Sequence, residues 1–245
     1  REESGIIASS YCHLAQKPIK LTMPQSVFPY TEFEATVKVP YDKTIKQLSA
    51  QGKKVGLNIG TILILPEGFT LAPLDRIPVA LKEKINGLSY LPYNNANKTT
   101  FMIGPVSGDK YNQLVFPVLA PEADIKTAYL KSDVYVAGNR GRGQLYPSGE
   151  KSNNNLFVSS ITGRVSEIKP GLKGGFDIII ESEDSNIITD SVGAGATIIV
   201  EPGQQISVGQ ALTTDPNVGG YGQAETEILL QNPIRVQGLL LFSFF

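Results

Sequence analysis

Apolar residues along this chain recur at alternate positions or in short runs, and rarely at the three-to-four spacing of an amphipathic helix. Val55 to Leu65 (VGLNIGTILIL) ends in a β-branched and leucine run that Pro66-Glu67-Gly68 stops. Gln113 to Leu119 (QLVFPVL) is a second strand, where Pro117, lacking an N–H for the ladder, predicts a sheet edge or a strand end. Phe176 to Glu181 (FDIIIE), Ala196 to Glu201 (ATIIVE) and Glu225 to Leu230 (ETEILL) repeat the pattern, each bounded by Gly, Pro, Asn or Asp. The pattern predicts an all-β fold.

Helical signals are few. Pro78 to Ile85 (PVALKEKI) has Pro in a first turn, good helix formers and Asn86-Gly87 as a stop. Ser9 or Ser10 is placed to cap a short helix through Tyr11, Cys12, His13 and Leu14. A polar connector, Lys151 to Asn155, precedes a stretch from Ile161 to Leu212 that reads as a small unit of its own. Its tail, ATIIVEPGQQISVGQAL, resembles the barrel-sandwich hybrid of biotinyl and lipoyl domains. Those carriers need a lysine on an exposed hairpin, and Ser182 to Asp190 holds none, so a fold unit is expected rather than a carrier.

Composition narrows the classes. At 245 residues, 41% hydrophobic and 18% charged, the chain has room for one large or two modest cores and is too apolar to be disordered. Twenty-four glycines and 16 prolines, spread along the chain, fit many turns between short strands. A formal net charge of −1 supplies no global field for a nucleic-acid backbone, so no nucleic-acid partner is expected, and the single GNRGRG copy at Gly138 to Gly143 reads as a glycine loop. One cysteine rules out an intrachain disulfide. Arg1-Glu2-Glu3-Ser4 is no secretory signal, although a processed chain would begin the same way. The apolar run Leu239 to Phe245 is too short to span a bilayer; a truncated anchor and a final buried strand both fit it.

Candidate chemistry centres on one dipeptide. Cys12 is the only cysteine and His13 the only histidine, and they are adjacent. The c-type haem signature C-x-x-C-H uses two thiols for two thioethers and the histidine as an iron ligand. Here Ser9 stands at the first thiol position, and a hydroxyl cannot form that thioether. One thioether through Cys12 and axial ligation by His13 remain open, as does a bland Cys-His pair on a surface helix. A Ser-His-Asp triad would have to use His13, and no G-x-S-x-G element accompanies it. Asn97-Lys98-Thr99 is a glycosylation sequon by pattern only, and Glu181, Glu183 and Asp184 read as a solvated acidic loop.

The segment SSYCHLAQKP at Ser9 to Pro18 resembles the haem segment of the cytochrome f family, whose pattern is C-A-N-C-H-L-A-Q-K-P. The resemblance continues through VPYDKTIKQL (Val39 to Leu48), GKKVGLNIGTILILPEGF (Gly52 to Phe69) and GPVSGDKYNQLVFPVLAP (Gly104 to Pro121). It runs on through VAGNRGRGQLYPSGEKSNN (Val136 to Asn154) and DPNVGGYGQAETEILLQNPIRVQGLL (Asp215 to Leu240), essentially the whole chain.

The resemblance implies a fibronectin-III-like sandwich as a large haem-binding domain, at residues 1–154 and 217–238, with an inserted small barrel-sandwich domain at 155–216. Residues 239–245 would begin a truncated transmembrane anchor. It implies a c-type haem held by Cys12 with a single thioether and by His13 as axial ligand, with Tyr146 and Pro147 packed beside it. The family's sixth ligand is the amine of an aromatic first residue, expected upstream of Arg1. Met23 and Met102 are the only thioether alternatives and read as core or strand residues. Gln47, Asn139, Gln144, Asn154 and Asn217 match amides lining a buried water chain; an amide both donates to and accepts from water. Lys46, Lys53, Lys54 and, more loosely, Lys173 match a docking patch that Asp42 and Glu167 weaken.

The implied function is a one-electron relay without substrate chemistry. The donor is the Rieske iron–sulfur protein of the cytochrome bf complex, the acceptor plastocyanin or a soluble c-type cytochrome, and the place the lumenal side of the thylakoid membrane. The lost first thiol also motivates an alternative: a haem-less structural module that keeps the fold.

Overall fold

The computed structural model describes residues 8–93, 98–122, 129–172 and 174–245. After a 3₁₀ turn at Ala8–Tyr11, the strands are β1 (Lys20–Thr22), β2 (Ser26–Val27), β3 (Glu32–Lys38), β4 (Gln47–Leu48), β5 (Lys54–Val55), β6 (Asn58–Ile64), β7 (Thr70–Leu71), β8 (Tyr90–Pro92), β9 (Thr100–Ser107) and β10 (Gln113–Leu119). They continue with β11 (Tyr129–Arg140), β12 (Gly163–Pro170), β13 (Phe176–Glu181), β14 (Ile187–Val192), β15 (Gln205–Ile206) and β16 (Gly220–Gln231). Helix α1 (Val79–Ile85) precedes β8, and α2 (Pro233–Ser243) follows β16.

Alternation builds the sandwich. On β3, Phe33, Ala35 and Val37 point inward while Glu32, Glu34 and Thr36 face outward, and β6 alternates likewise with Ile59 and Leu63 inside. A four-stranded sheet, β1-β3-β10-β7, and a six-stranded sheet, β2-β16-β11-β6-β9-β8, share one core. Phe33, Val37, Leu114, Phe116 and Val118 meet Ile59, Leu63, Ile103, Val134, Val136 and Ile228 there. Each large apolar side chain so buried contributes roughly 1.5–3 kcal/mol. An exposed ion pair such as Lys84–Glu34 contributes about 0–1 kcal/mol, so packing dominates.

A separate core lies in the sheet β14-β13-β12-β15, where Val165, Ile178, Ile180, Val192, Val200, Ile206 and Leu212 are buried together. Among the described residues the chain is all-β, as its pattern predicts, with these two apolar cores and a smaller cluster of Ala72, Ile77, Leu81, Ile85 and Val115 around α1.

Local expectations fared unevenly. β10 and β13 have the predicted bounds, and α1 starts after Pro78 and stops at Asn86-Gly87, with Gly87 at φ +81°. Pro117 sits inside β10, between two neighbours; the ladder to β7 ends there, because Ala72 donates to the Pro117 carbonyl and proline has nothing to return. Val55 to Leu65 is two strands, since Gly56-Leu57 breaks it and Val55 pairs with Gln47 in a small hairpin.

Ala196 to Glu201 is no strand. Only an isolated bridge, Ile198 to Thr213, forms there, with Ile199 N donating to Leu212 O, because the facing segment runs into Asp215-Pro216. The helix expected through Leu14 ends at Tyr11, with Ser9 and Ser10 inside the turn rather than capping it; Cys12 is in a turn, its carbonyl taken by Gln144 N and Leu145 N, and His13 is in no regular element.

At the C-terminal end the buried-strand reading is replaced by a helix. Asn232 caps α2, its Oδ1 accepting from Ile234 N at 2.9 Å, and Pro233 opens the first turn. The helix thus begins ahead of residue 239, and its apolar side chains Ile234, Leu239, Leu240, Leu241 and Phe242 are exposed. No helix among the described residues is long and apolar enough to cross a membrane.

Candidate haem site

The segment carrying Cys12 and His13 is strapped to the ends of β11 and β16. Lys17 N donates to Tyr221 O at 2.7 Å and Tyr221 N to Ala15 O at 2.8 Å. Arg140, buried at the end of β11, donates from Nη2 to Pro18 O at 2.7 Å. The Cys12 carbonyl accepts from Gln144 N at 2.7 Å, and Leu14 N donates to Gln144 Oε1 at 2.9 Å. Gly143 is required at this crossing, since a Cβ there would lie 2.9 Å from Cys12 O.

His13 lies in the wall of a cavity of about 450 Å³ on the outer face of the six-stranded sheet. Gly60 and Ile62 of β6, Met102 of β9, Ala137 and Asn139 of β11, and Tyr146 are among its lining. Such a volume is within the usual range for small-molecule and cofactor sites. Burial pushes the His13 pKa below the ordinary imidazole value, which keeps the ring neutral at neutral pH. His13 Nε2 is 2.8 Å from Asn139 Nδ2. An amide nitrogen can only donate, so Nε2 offers its lone pair and the proton sits on Nδ1. Nδ1 is buried without a hydrogen-bond partner.

A neutral imidazole with a lone pair directed at a neighbour is the form that ligates a metal. No cluster of three or more His, Cys, Asp or Glu among the described residues could hold a bare ion. Iron at His13 would therefore have to bring most of its own ligands, as a porphyrin does. The free thiol of Cys12, partly buried, adjoins His13 in the chain. Cavity and imidazole fit a haem; Cys12 does not itself line the cavity but stands one residue from His13, which does.

The amides expected to line a water chain gather along Asn139 to Gln144. Gln144, buried, donates from Nε2 to Arg142 O at 3.3 Å; Asn154 Nδ2 donates to the same carbonyl at 2.8 Å and to Asn217 Oδ1 at 3.4 Å. Gln47 donates from Nε2 to Gly56 O at 3.0 Å, and its Oε1 lies against Gly141. Gln47 Oε1 and Asn154 Oδ1 are, like His13 Nδ1, buried and unpartnered. Buried polar atoms of this kind are the usual partners of internal water.

The remaining candidates divide. Tyr146 lines the cavity and its hydroxyl accepts from Arg142 Nη2 at 3.4 Å, whereas Pro147 is exposed beyond the lining. Lys46, Lys53 and Lys54 cluster, exposed, on the β4–β5 hairpin. Asp42 near them is occupied with its own turn, accepting from Thr44 N at 2.8 Å and Thr44 Oγ1 at 2.7 Å. Glu167 pairs with Lys169 at 2.8 Å. Glu183 and Asp184 are exposed in the β13–β14 turn. Lys173 and Asn97, like the Ser9 side chain, lie outside the described residues.

Sequence reasoning missed Arg142 at the cavity and named Met102 only as a thioether alternative. Met102 is a strand residue, as read, but its outward position on β9 brings it to the same cavity as His13, while Met23 packs against the core.

Comparison with known proteins agrees with the geometry. Residues 1–141 match the family model Apocytochrome F, N-terminal, and residues 153–245 match Apocytochrome F, C-terminal. The chain is 69% identical over 245 residues to cytochrome f of Bigelowiella natans, covering all of this chain and 78% of that protein. It is 52% identical over 248 residues to cytochrome f of Chlorella vulgaris, covering all of this chain and 79% of the relative. With cytochrome f of Marchantia polymorpha the identity is 53% over 245 residues, at 99% and 77% coverage. The chain belongs to the cytochrome f family, the c-type haem proteins of photosynthetic electron transport at the thylakoid membrane, and is an electron carrier of the cytochrome bf complex rather than an enzyme.

Proposed function

We propose that this chain carries one c-type haem through a single thioether at Cys12, with His13 as axial ligand. It relays single electrons from the Rieske iron–sulfur protein to plastocyanin or a soluble c-type cytochrome on the lumenal side of the thylakoid membrane. The observation that carries this reading is the neutral, buried His13 in the cavity wall beside the chain's only thiol. When bound, the haem supplies a one-electron iron couple.

The protein's own residues hold and tune that group. Cys12 anchors one edge, His13 offers the Nε2 lone pair, and Gly60, Ile62 and Met102 give the cavity a largely apolar floor. Tyr146 stands at the cavity's rim, with Arg142 fixing its hydroxyl. Gln47, Asn139, Gln144, Asn154 and Asn217 line a path for ordered water that begins at His13; three unpartnered buried atoms along it support that reading. Lys46, Lys53 and Lys54 draw an acidic acceptor toward the hairpin by a long-range attraction that salt screens. The encounter is brief and small, as redox encounters are. We read the two apolar cores as a large and an inserted small domain.

Rapid mixing of the reduced, purified protein with oxidised plastocyanin tests the relay. A Soret band that shifts to its oxidised position at a rate first order in plastocyanin is expected. A colourless protein would leave the haem-less module as the better account, and a band unresponsive to plastocyanin would overturn the relay while leaving the haem in place.

A further inference from the structure

Asn153 is buried where the sandwich meets the small sheet, and its amide joins three segments. Nδ2 donates to Ser49 O at 2.8 Å and to Ala194 O at 2.7 Å, and Oδ1 accepts from Arg142 Nη1. Ser49 is in the turn between β4 and β5, Ala194 in the turn after β14, and Arg142 in the wall of the His13 cavity. Arg142 extends the connection, donating to Leu48 O at 3.0 Å and reaching Tyr146 Oη.

The backbones at this seam leave no space for side chains. A Cβ on Gly52 would lie 2.6 Å from Gly195 N, and one on Gly195 would lie 2.6 Å from Gly52 Cα. Both glycines have positive φ, +77° and +83°. A Cβ on Gly193 would come within 2.6 Å of Asn153 Cβ. The seam is thus held by glycine contacts and by the bonds of the Asn153 amide, which ties the hairpin turn both to the turn after β14 and to Arg142 beside that residue's own bond to Leu48 O.

We propose that Asn153 is a positioning residue for electron transfer. It fixes the β4–β5 hairpin, with Lys46, Lys53 and Lys54, in register with the His13 cavity, so that an acidic acceptor steered by the lysines arrives oriented toward the haem. The inference rests on the docking role given to those lysines above. Steering toward a hairpin that has swung away would still produce encounters, but fewer of them would be productive.

The test uses the reduced holoprotein in stopped flow, with plastocyanin and with benzoquinone as a small uncharged oxidant. The chains compared are wild type, Asn153→Ala, Asn153→Asp, Lys53→Gln/Lys54→Gln, and the combination of Asn153→Ala with both lysine changes. Asp keeps an acceptor for Arg142 and loses both donors, so it serves if Ala at this buried site loses the haem.

Either Asn153 variant is expected to react with plastocyanin about threefold or more slowly at low salt, the gap closing at high salt and vanishing in the lysine-depleted background. Benzoquinone rates and the Asn153→Ala midpoint potential should match wild type. A wild-type plastocyanin rate in the Asn153 variants, or a loss of equal size without the lysines, overturns the inference while leaving the docking reading standing. If the lysine double variant itself reacts like wild type, the docking reading fails and takes the inference with it.

Discussion

Asn139 and His13, 126 positions apart in sequence, meet with Nδ2 and Nε2 2.8 Å from one another. The contact exists because the strap after Cys12 crosses the end of β11, where the outward-facing residue is Asn139. It gives the imidazole a defined acceptor atom. Iron would compete for the same lone pair.

That competition makes Asn139→Leu informative. Leaving a buried acceptor without its donor costs about 1–3 kcal/mol. The cost should appear in the haem-free protein and shrink in the haem-loaded one, where the metal takes the lone pair. Urea denaturation of both forms checks this; an equal loss in each would place Asn139 outside the ligand's surroundings.

Gly143→Ala should loosen the strap. The added methyl meets Cys12 O at 2.9 Å, a backbone atom that cannot swing aside. A destabilisation of about 1–3 kcal/mol is expected, as for other overpacked sites, read as a lower thermal midpoint. Gly149→Ala, with open space at its Cβ position and a φ of +85°, isolates the backbone penalty alone.

Tyr90 couples the sandwich core to high pH. Its hydroxyl donates to Val115 O at 2.6 Å, and burial raises its pKa well above the ordinary phenol value. Up to about pH 10 the phenol is protonated in folded and unfolded chains alike, so its contribution is constant. Above that the unfolded chain sheds a proton the folded chain keeps, and stability falls as pH rises toward the folded value. Tyr90→Phe should cost about 1 kcal/mol at neutral pH and flatten the alkaline decline. Denaturation midpoints from pH 8 upward, ~10 being the crossover, check both.

Leu212→Ala tests the division into two domains. Leu212 is fully buried in the second core, and removing such a side chain costs about 2–5 kcal/mol. Calorimetry should show an early transition for the small unit with the haem absorbance preserved through it. A single lowered transition, with haem and fold lost together, would mean the two cores form one cooperative body.

Much of the sandwich was legible in period-two segments such as Glu225 to Leu230, which fell inside β16, and in the caps around α1. Where local pattern misled, a tertiary partner decided. Ala196 to Glu201 has strand composition, but its neighbour turns away after Thr214. Ser9 to Leu14 has helix-start chemistry, but Gln144 holds the Cys12 carbonyl and Tyr221 bridges the following backbone at Ala15 to Lys17.

At the site, Cys12 and His13 were visible as rare residues side by side. The amides could be named only through family resemblance, since nothing in Gln47 or Asn154 alone distinguishes them from loop residues. Asn153 was overlooked beside Asn154, because which of two adjacent asparagines bridges three segments depends on where distant carbonyls lie.

The central claim is a haem held by Cys12 through one sulfur, with His13 on the iron. A pyridine haemochrome spectrum of the purified protein, before and after acid–acetone extraction, tests it most directly. An α band between the b-type and two-thioether c-type positions, with the haem retained after extraction, is the predicted result. A b-type band with extractable haem, or no haem at all, would contradict it.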